Sequence, residues 1–364
     1  MSPVTRTRST RPLRPARRGR YVVVVPQGLG DTLEATPFLR ALRDAEPRAE
    51  IIAVVLRAAA RDLIAETHLA DHIVYLPYWD RGLGVFLLSA LRIPLLGRAD
   101  AAFLMYPAAR LVYLALLAMI PARRRFAHRY DDAWIRRLFD LGIAQVPIGL
   151  RHNVLRNGDL FEPAGIEATM PARYVVPERW SATEPRRPDR IVIHVGTIAH
   201  DGLEARRWPA ESFAELGRRL VARRYGVVFL AGPAELEITR RVARAVPGSR
   251  VANHPLAEAA ALIASSRVVV ANDSGIAHVA AGCGTPVLAL FGPTPVEHGP
   301  FGAGSVAFRP TLCPPCFDVV TTDSRCKLDI DYACLKRDLT VDLVEGRLLE
   351  LIEATDPEGT ASRR

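Results

Sequence analysis

The chain has 364 residues, 49% of them hydrophobic and 24% charged, with 25 glycines and 28 prolines spread along it. These values suit one or two globular domains with a full core, and they exclude a disordered chain, a collagen-like chain and a disulfide scaffold. The formal charge is +9, and all but Lys327 and Lys336 of the 48 basic residues are arginines. A GC-rich genome gives that bias, and binding to phosphates or anionic lipid would also use it.

Residues 1–20 read as a disordered basic tail, with Arg6, Arg8, Arg11, Arg14, Arg17, Arg18 and Arg20. Without them the rest of the chain is close to neutral, which argues against nucleic acid as a partner. The tail leads only to Val22–Val25 and then Pro26. A secretory core needs about 7–15 apolar residues, so a cytoplasmic protein is expected. Tyr21–Val25 reads as a buried parallel strand, Gln27–Asp31 as a turn, Thr32 to about Ala45 as a helix and Ile51–Leu56 as a second strand. Ile73–Leu76 and Ala101–Tyr106 continue the pattern less clearly. Val85–Leu96 and Leu111–Ile120 are strongly apolar. Both fall short of the ~20 residues of a spanning helix. They read either as buried helices or as a face lying on an anionic membrane, with Arg92, Arg98, Arg110 and Arg123–Arg125 near the headgroups.

Residues 166–189, charged and proline-rich, suit a linker. The alternation then restarts: strands at Ile191–Val195, Val227–Ala231, Val268–Ala271 and Val287–Phe291; helices at Pro209–Arg224, Ala234–Ala245, Leu256–Ala264 and Ser274–Gly282. The expected fold is α/β. Two Rossmann-like, doubly wound domains, 21–165 and 190–350, face a ligand cleft, and 351–364 form a tail.

Several constellations fall at strand ends. Gly28-Leu29-Gly30-Asp31-Thr32 suits a tight turn or a backbone approached by ligand. Leu33 stands where a dinucleotide fingerprint needs its third glycine, which excludes a dehydrogenase. Asp31 reads either as a helix N-cap or as a general base at the cleft. Asn272-Asp273-Ser274-Gly275 opens a helix, a ready pyrophosphate site, and His278 shares that helix face. Arg206-Arg207-Trp208-Pro209 brings guanidinium groups to another helix start, as a phosphate clamp or as a solvated pair. Gly232-Pro233-Ala234-Glu235 reads as a ribose-binding turn or as an ordinary helix start. Cys313, Cys316, Cys326 and Cys334, in the segment 309–336, have spacings that suit a structural zinc or iron, or are small core residues around a loop.

Taken in order, Gly30-Asp31-Thr32-Leu33 with Thr36-Pro37, Arg206-Arg207-Trp208-Pro209, Gly232–Glu235, Asn272-Asp273-Ser274-Gly275 with His278, Gly284-Thr285-Pro286 and Phe291-Gly292-Pro293-Thr294 resemble the signatures of glycosyltransferase family 9, the bacterial heptosyltransferases. The resemblance covers about residues 21–350, most weakly at 60–170. It implies a GT-B fold and inverting, metal-independent transfer of heptose from ADP-heptose to a lipopolysaccharide core sugar or related acceptor. Asp31 would then be the base, Glu235 would hold ribose, and Ser274, Gly275 and His278 would line the pyrophosphate, with Asp273 beside the donor sugar. Arg206 replaces the family's lysine, and Gln27 stands where a basic or hydroxylic residue is more usual. Another nucleotide sugar, a protein acceptor, or a non-catalytic nucleotide-sugar-binding protein are the alternatives.

Overall fold

The computed structural model describes residues 18–26, 28–130, 142–182, 184–197, 207–317 and 325–355. Among these, two six-stranded sheets form, and every neighbouring pair of strands is parallel. The first is ordered β3-β2-β1-β4-β5-β6 and the second β12-β11-β10-β7-β8-β9. Counted from its own first strand, each has the doubly wound order 3-2-1-4-5-6. The first sheet takes β1 (Arg20–Val25), β2 (Glu50–Val55), β3 (His72–Tyr75), β4 (Ala99–Leu104), β5 (Ala122–Arg129) and β6 (Ile143–Pro147). The second takes β7 (Arg187–His194), β8 (Gly226–Leu230), β9 (Arg250–Ala252), β10 (Ser266–Asn272), β11 (Val287–Leu290) and β12 (Ser305–Phe308).

The helices of the first half are α1 (Leu29–Ala45), α2 (Ala58–Thr67), α3 (Tyr78–Ala90), α4 (Leu111–Met119), α5 (Asn153–Gly158) and α6 (Phe161–Ala164). Those of the second are α7 (Ala210–Ala222), α8 (Leu236–Arg244), α9 (Leu256–Ala264), α10 (Gly275–Gly282), α11 (Ala333–Lys336) and α12 (Val341–Ala354). None of the described helices is long and apolar enough to cross a membrane.

The central strands read as unbroken apolar runs because both of their faces are covered. Val22 and Val24 of β1 join the core under α3 and α4, while Val23 and Val25 join the opposite core under α1 and α2. In β10, Val268 and Val270 pack on one side and Val269 and Ala271 on the other. The strands that composition did not reveal are β5, β6, β9 and β12. Three of them are short edge or near-edge strands, and β5 exposes Arg123 and Arg124 before burying Phe126 and Ala127. Helix α12 was also unforeseen; it places Val344, Leu348 and Leu351 in the second core and runs past residue 350, into the expected tail.

The stretch expected as a linker is packed against both halves. Trp180 is buried in the core on the other face of the second sheet, with Val269 and Ala271. The Val175 amide donates to Thr36 Oγ1 of α1 (2.9 Å), and the Tyr174 hydroxyl meets His278 Nδ1 of α10 (2.9 Å).

Candidate active site

Helices α1 and α10 start at the carboxyl ends of β1 and β10, the central strands of the two sheets, and their first turns abut. A Cβ placed on Gly275 would lie 3.5 Å from Leu29 Cβ and 3.7 Å from the Gly30 amide nitrogen. One placed on Gly30 would lie 2.9 Å from His278 Cδ2 and 3.2 Å from its Nε2. Gly30 is therefore required by close approach between the halves, whereas a Cβ at Gly275 would make only ordinary contacts.

Helix α1 begins three residues earlier than the sequence suggested. Gly28 is its N-cap, with extended backbone, and its carbonyl accepts from the Thr32 amide at 3.0 Å. This corrects the N-cap reading of Asp31. Asp31 sits in the first turn, and its Oδ2 accepts the Gly28 N–H at 3.1 Å, capping the helix from within. The carboxylate gains from the positive end of the helix dipole.

Glu34, one turn further on, is 1% exposed. Burial, then the negative charge of Asp31, pushes its carboxyl well above the ordinary value, and Asp273 adds to this; Asn153 Nδ2, donating at 3.1 and 3.3 Å to its two oxygens, opposes it. Asn153 Oδ1 in turn accepts from Arg156 Nη1 at 2.7 Å. The Arg156 guanidinium lies 4.9 Å from the centre of the Tyr106 ring. So α5 supplies a cation and an amide to the carboxylates of α1.

From the second half come Asp273, Ser274 and His278. Ser274 is the N-cap of α10 in extended conformation, and no amide of the helix bonds its hydroxyl. That hydroxyl instead faces His194 Nδ1 at 3.4 Å, at the end of β7. Burial, with help from the nearby Arg207, lowers His194 to about 4, so the ring is neutral. His278 is likewise lowered to about 4 by burial, although Asp273 favours its charged form. The Phe301 amide donates to the Tyr174 oxygen at 3.1 Å. The phenol's own proton is then available to His278 Nδ1, which puts the ring proton on Nε2, beside Gly30.

Asn272 locks the loops around this start: its Nδ2 donates to the Val195 carbonyl, and its Oδ1 accepts from the Trp208 amide, both at 2.9 Å. Arg207 is half-buried next to Trp208. Arg206 lies outside the described residues. Glu235 closes a short turn, Pro233–Glu235, capped by Gly232. Its carboxylate folds back so that a Cβ on Gly196 would lie 3.0 Å from Oε1, and one on Gly232 2.6 Å from Oε2. The two glycines leave room for that carboxylate at the carboxyl edge of the second sheet.

Of the four cysteines, Cys313 and Cys316 lie close enough to Cys334 to act on its thiol. Among the described residues, no three His, Cys, Asp or Glu side chains stand close enough to hold a metal ion. Cys334 is buried and raised to about 11, by burial and then by the neighbouring Cys313. Cys326 accepts the Ile330 amide at 3.4 Å in a separate turn.

Sequence reasoning singled out Asp31, Arg207, Glu235, Asp273, Ser274, Gly275 and His278, but missed Glu34, Tyr174, His194, Asn153 and Arg156. His194 carried one signal, a polar residue ending an apolar strand run. The others are legible only once α5 and the segment around Tyr174 are packed.

Two parallel six-stranded sheets of Rossmann order whose central helix starts meet form the GT-B architecture of the solved heptosyltransferases. The profile of glycosyltransferase family 9 (heptosyltransferase) matches residues 98–325. The chain belongs to this family. It is 32% identical over 103 residues to lipooligosaccharide heptosyltransferase 2 of Haemophilus influenzae, a match covering 26% of this chain and 30% of that protein. The aligned stretch therefore spans under a third of that relative's length. Among solved structures, the family 9 glycosyl transferase of Veillonella parvula superposes with a TM-score of 0.72 at 21% identity, covering 93% of this chain and 98% of that one. The E. coli heptosyltransferase WaaC, solved with ADP, gives 0.69 at 17% identity, covering 91% and 99%.

Proposed function

We propose that this protein is an inverting glycosyltransferase that moves heptose from ADP-heptose to a hydroxyl of a lipopolysaccharide core or related acceptor. The observation that carries this is the meeting of two helix starts, one bearing a carboxylate and one suited to an anion. Membership of the family, and a similar fold solved with ADP, support the donor class.

In this reading Asp31 takes the acceptor hydroxyl's proton as that oxygen bonds to the anomeric carbon. The bond from that carbon to the diphosphate oxygen breaks, and the electron pair leaves with the nucleotide. The amides at Ser274–Gly275 and the Arg207 cation stabilise the charge developing on the diphosphate. Glu235 is assigned to the donor's ribose, and Asp273 to the neighbourhood of the sugar. His278, held neutral, offers an Nε2 proton to the same region. Each step is assigned to the chain's own groups. A structural zinc or iron on Cys313, Cys316, Cys326 and Cys334 is not part of this reading.

The test is Asp31→Asn, assayed for transfer and, by calorimetry, for ADP binding. Asn keeps an oxygen that accepts the Gly28 amide, so the fold should hold, while turnover should fall at least ~100-fold. ADP affinity should change little, because its partners lie in the other half. Near-native transfer by Asp31→Asn would remove Asp31 as the base. Protection by UDP-sugars and not by ADP-sugars in a thermal shift would leave a GT-B transferase with another donor. Tight donor binding without transfer to any sugar or protein acceptor would leave a binding protein.

A further inference from the structure

We propose that the outer face of α3 and the turn that follows it is a docking surface for an anionic lipid bilayer, independent of the reaction assigned above. The face lies on the side of the first sheet opposite α1. Phe86, Ala90 and Ile93 are buried, the aromatic ring and Ile93 in the core shared with α4. The residues between them point the other way: Leu83, Leu87, Leu88, Leu91 and Leu95 are 58%, 56%, 71%, 67% and 82% exposed. At 100° per residue Leu83, Leu87 and Leu88 fall on one side of α3, Leu91 and Leu95 follow in the turn after it, and nothing among the described residues buries them. Five neighbouring exposed leucines mark an interaction site rather than scattered exposure.

Charge selects the occupant. From the start of α3 at residue 78 to residue 130 the sequence holds eight arginines and two acidic residues, Asp80 and Asp100. Arg81, Arg92 and Arg98 are exposed beside the leucines. Moreover, the chain enters the fold next to this face: Arg20 Nη1 donates to the Leu96 carbonyl at 3.0 Å. The residues preceding that point carry Arg6, Arg8, Arg11, Arg14 and Arg17, while Arg18 donates to the Arg48 carbonyl and pairs with Asp71. An apolar face joined to a polybasic segment is the two-signal combination that holds a protein on an anionic leaflet, where either alone is weak. A second copy of this chain would bring the same cations against each other, so like-charge repulsion disfavours it as the occupant.

The experiment is cosedimentation of the full-length protein with vesicles of phosphatidylcholine alone, or with about 30% phosphatidylglycerol. The anionic vesicles should bind it, the neutral ones much less, and about 0.5 M salt should release a large part. Leu88→Glu with Leu91→Glu should weaken binding at least about tenfold, and Arg92→Gln with Arg98→Gln should lower it and flatten the salt dependence. Circular dichroism confirms folding, and Leu95→Ser replaces the glutamate pair should that pair disturb it. Wild-type protein that ignores anionic vesicles overturns the proposal, as do leucine variants that bind like wild type. Sedimentation velocity gives a third refutation: a dimer that the glutamate pair dissociates, with vesicle binding intact, makes this face an interface between copies.

Discussion

Glu34→Gln should make the protein less sensitive to rising pH. In the fold, Glu34 is buried in α1 beside Asp31, with Asp273 also opposing its ionisation, and its carboxyl is raised well above the ordinary value. In the unfolded chain it ionises as any glutamate does. Between those two values the folded state keeps a proton that the unfolded state has released. The stability from protonated Glu34 is therefore whole below the unfolded value and is lost as pH rises toward the folded one. One proton of difference amounts to about 1.4 kcal/mol per pH unit. Glutamine keeps an oxygen for Asn153 Nδ2, which donates at 3.1 and 3.3 Å in the native protein, and it cannot ionise. Urea unfolding of both proteins at about one-unit steps from pH 5 to pH 8 measures the effect. His128, His194 and His278, each lowered to about 4 by burial, act equally on both proteins and cancel in the difference. The variant should gain on wild type as pH rises, with a slope of at most about 1.4 kcal/mol per unit while Glu34 keeps its proton in the fold. A difference that stays constant across the range would refute the reasoning, because Glu34 would then ionise alike in both states.

Gly30→Ala should destabilise the closed pair of helix starts, because its Cβ would meet the His278 ring at 2.9 Å and that ring is held by Tyr174. Overpacking of about 1–3 kcal/mol exceeds the gain of up to about 1 kcal/mol from alanine's helix propensity, and thermal melting should show the net loss. Adding His278→Ala should return part of it, a non-additivity that a purely local helix effect would not produce. His194, lowered to about 4 by burial and then Arg207, stabilises the fold fully above the ordinary histidine value and loses that contribution as pH falls toward 4. His194→Asn should therefore lose stability less steeply than wild type between about pH 6.5 and pH 4.5 in urea unfolding. Parallel curves would mean that His194 charges freely in the fold.

Local sequence was enough for the central strands and for the helices that follow β1 and β10. The reason is that Val22–Val25 and Val268–Ala271 are buried on both faces, and that glycine, aspartate and serine after a strand favour a turn and a helix start. Edge strands such as β6 and β9 stayed hidden because solvent on one side lets polar residues stand in them. The position of Asp31 within its helix also needed the fold, since whether Gly28 or Asp31 caps depends on where the chain leaves β1. Above all, the surroundings of the catalytic candidates come from long-range packing. Asn153 reaches Glu34 across 119 positions, Tyr174 reaches His278 across 104, and Ser274 reaches His194 across 80. No local pattern encodes such neighbours. Burial and charge at those contacts set which carboxyl keeps its proton and which imidazoles stay neutral, so tertiary structure alone decided them.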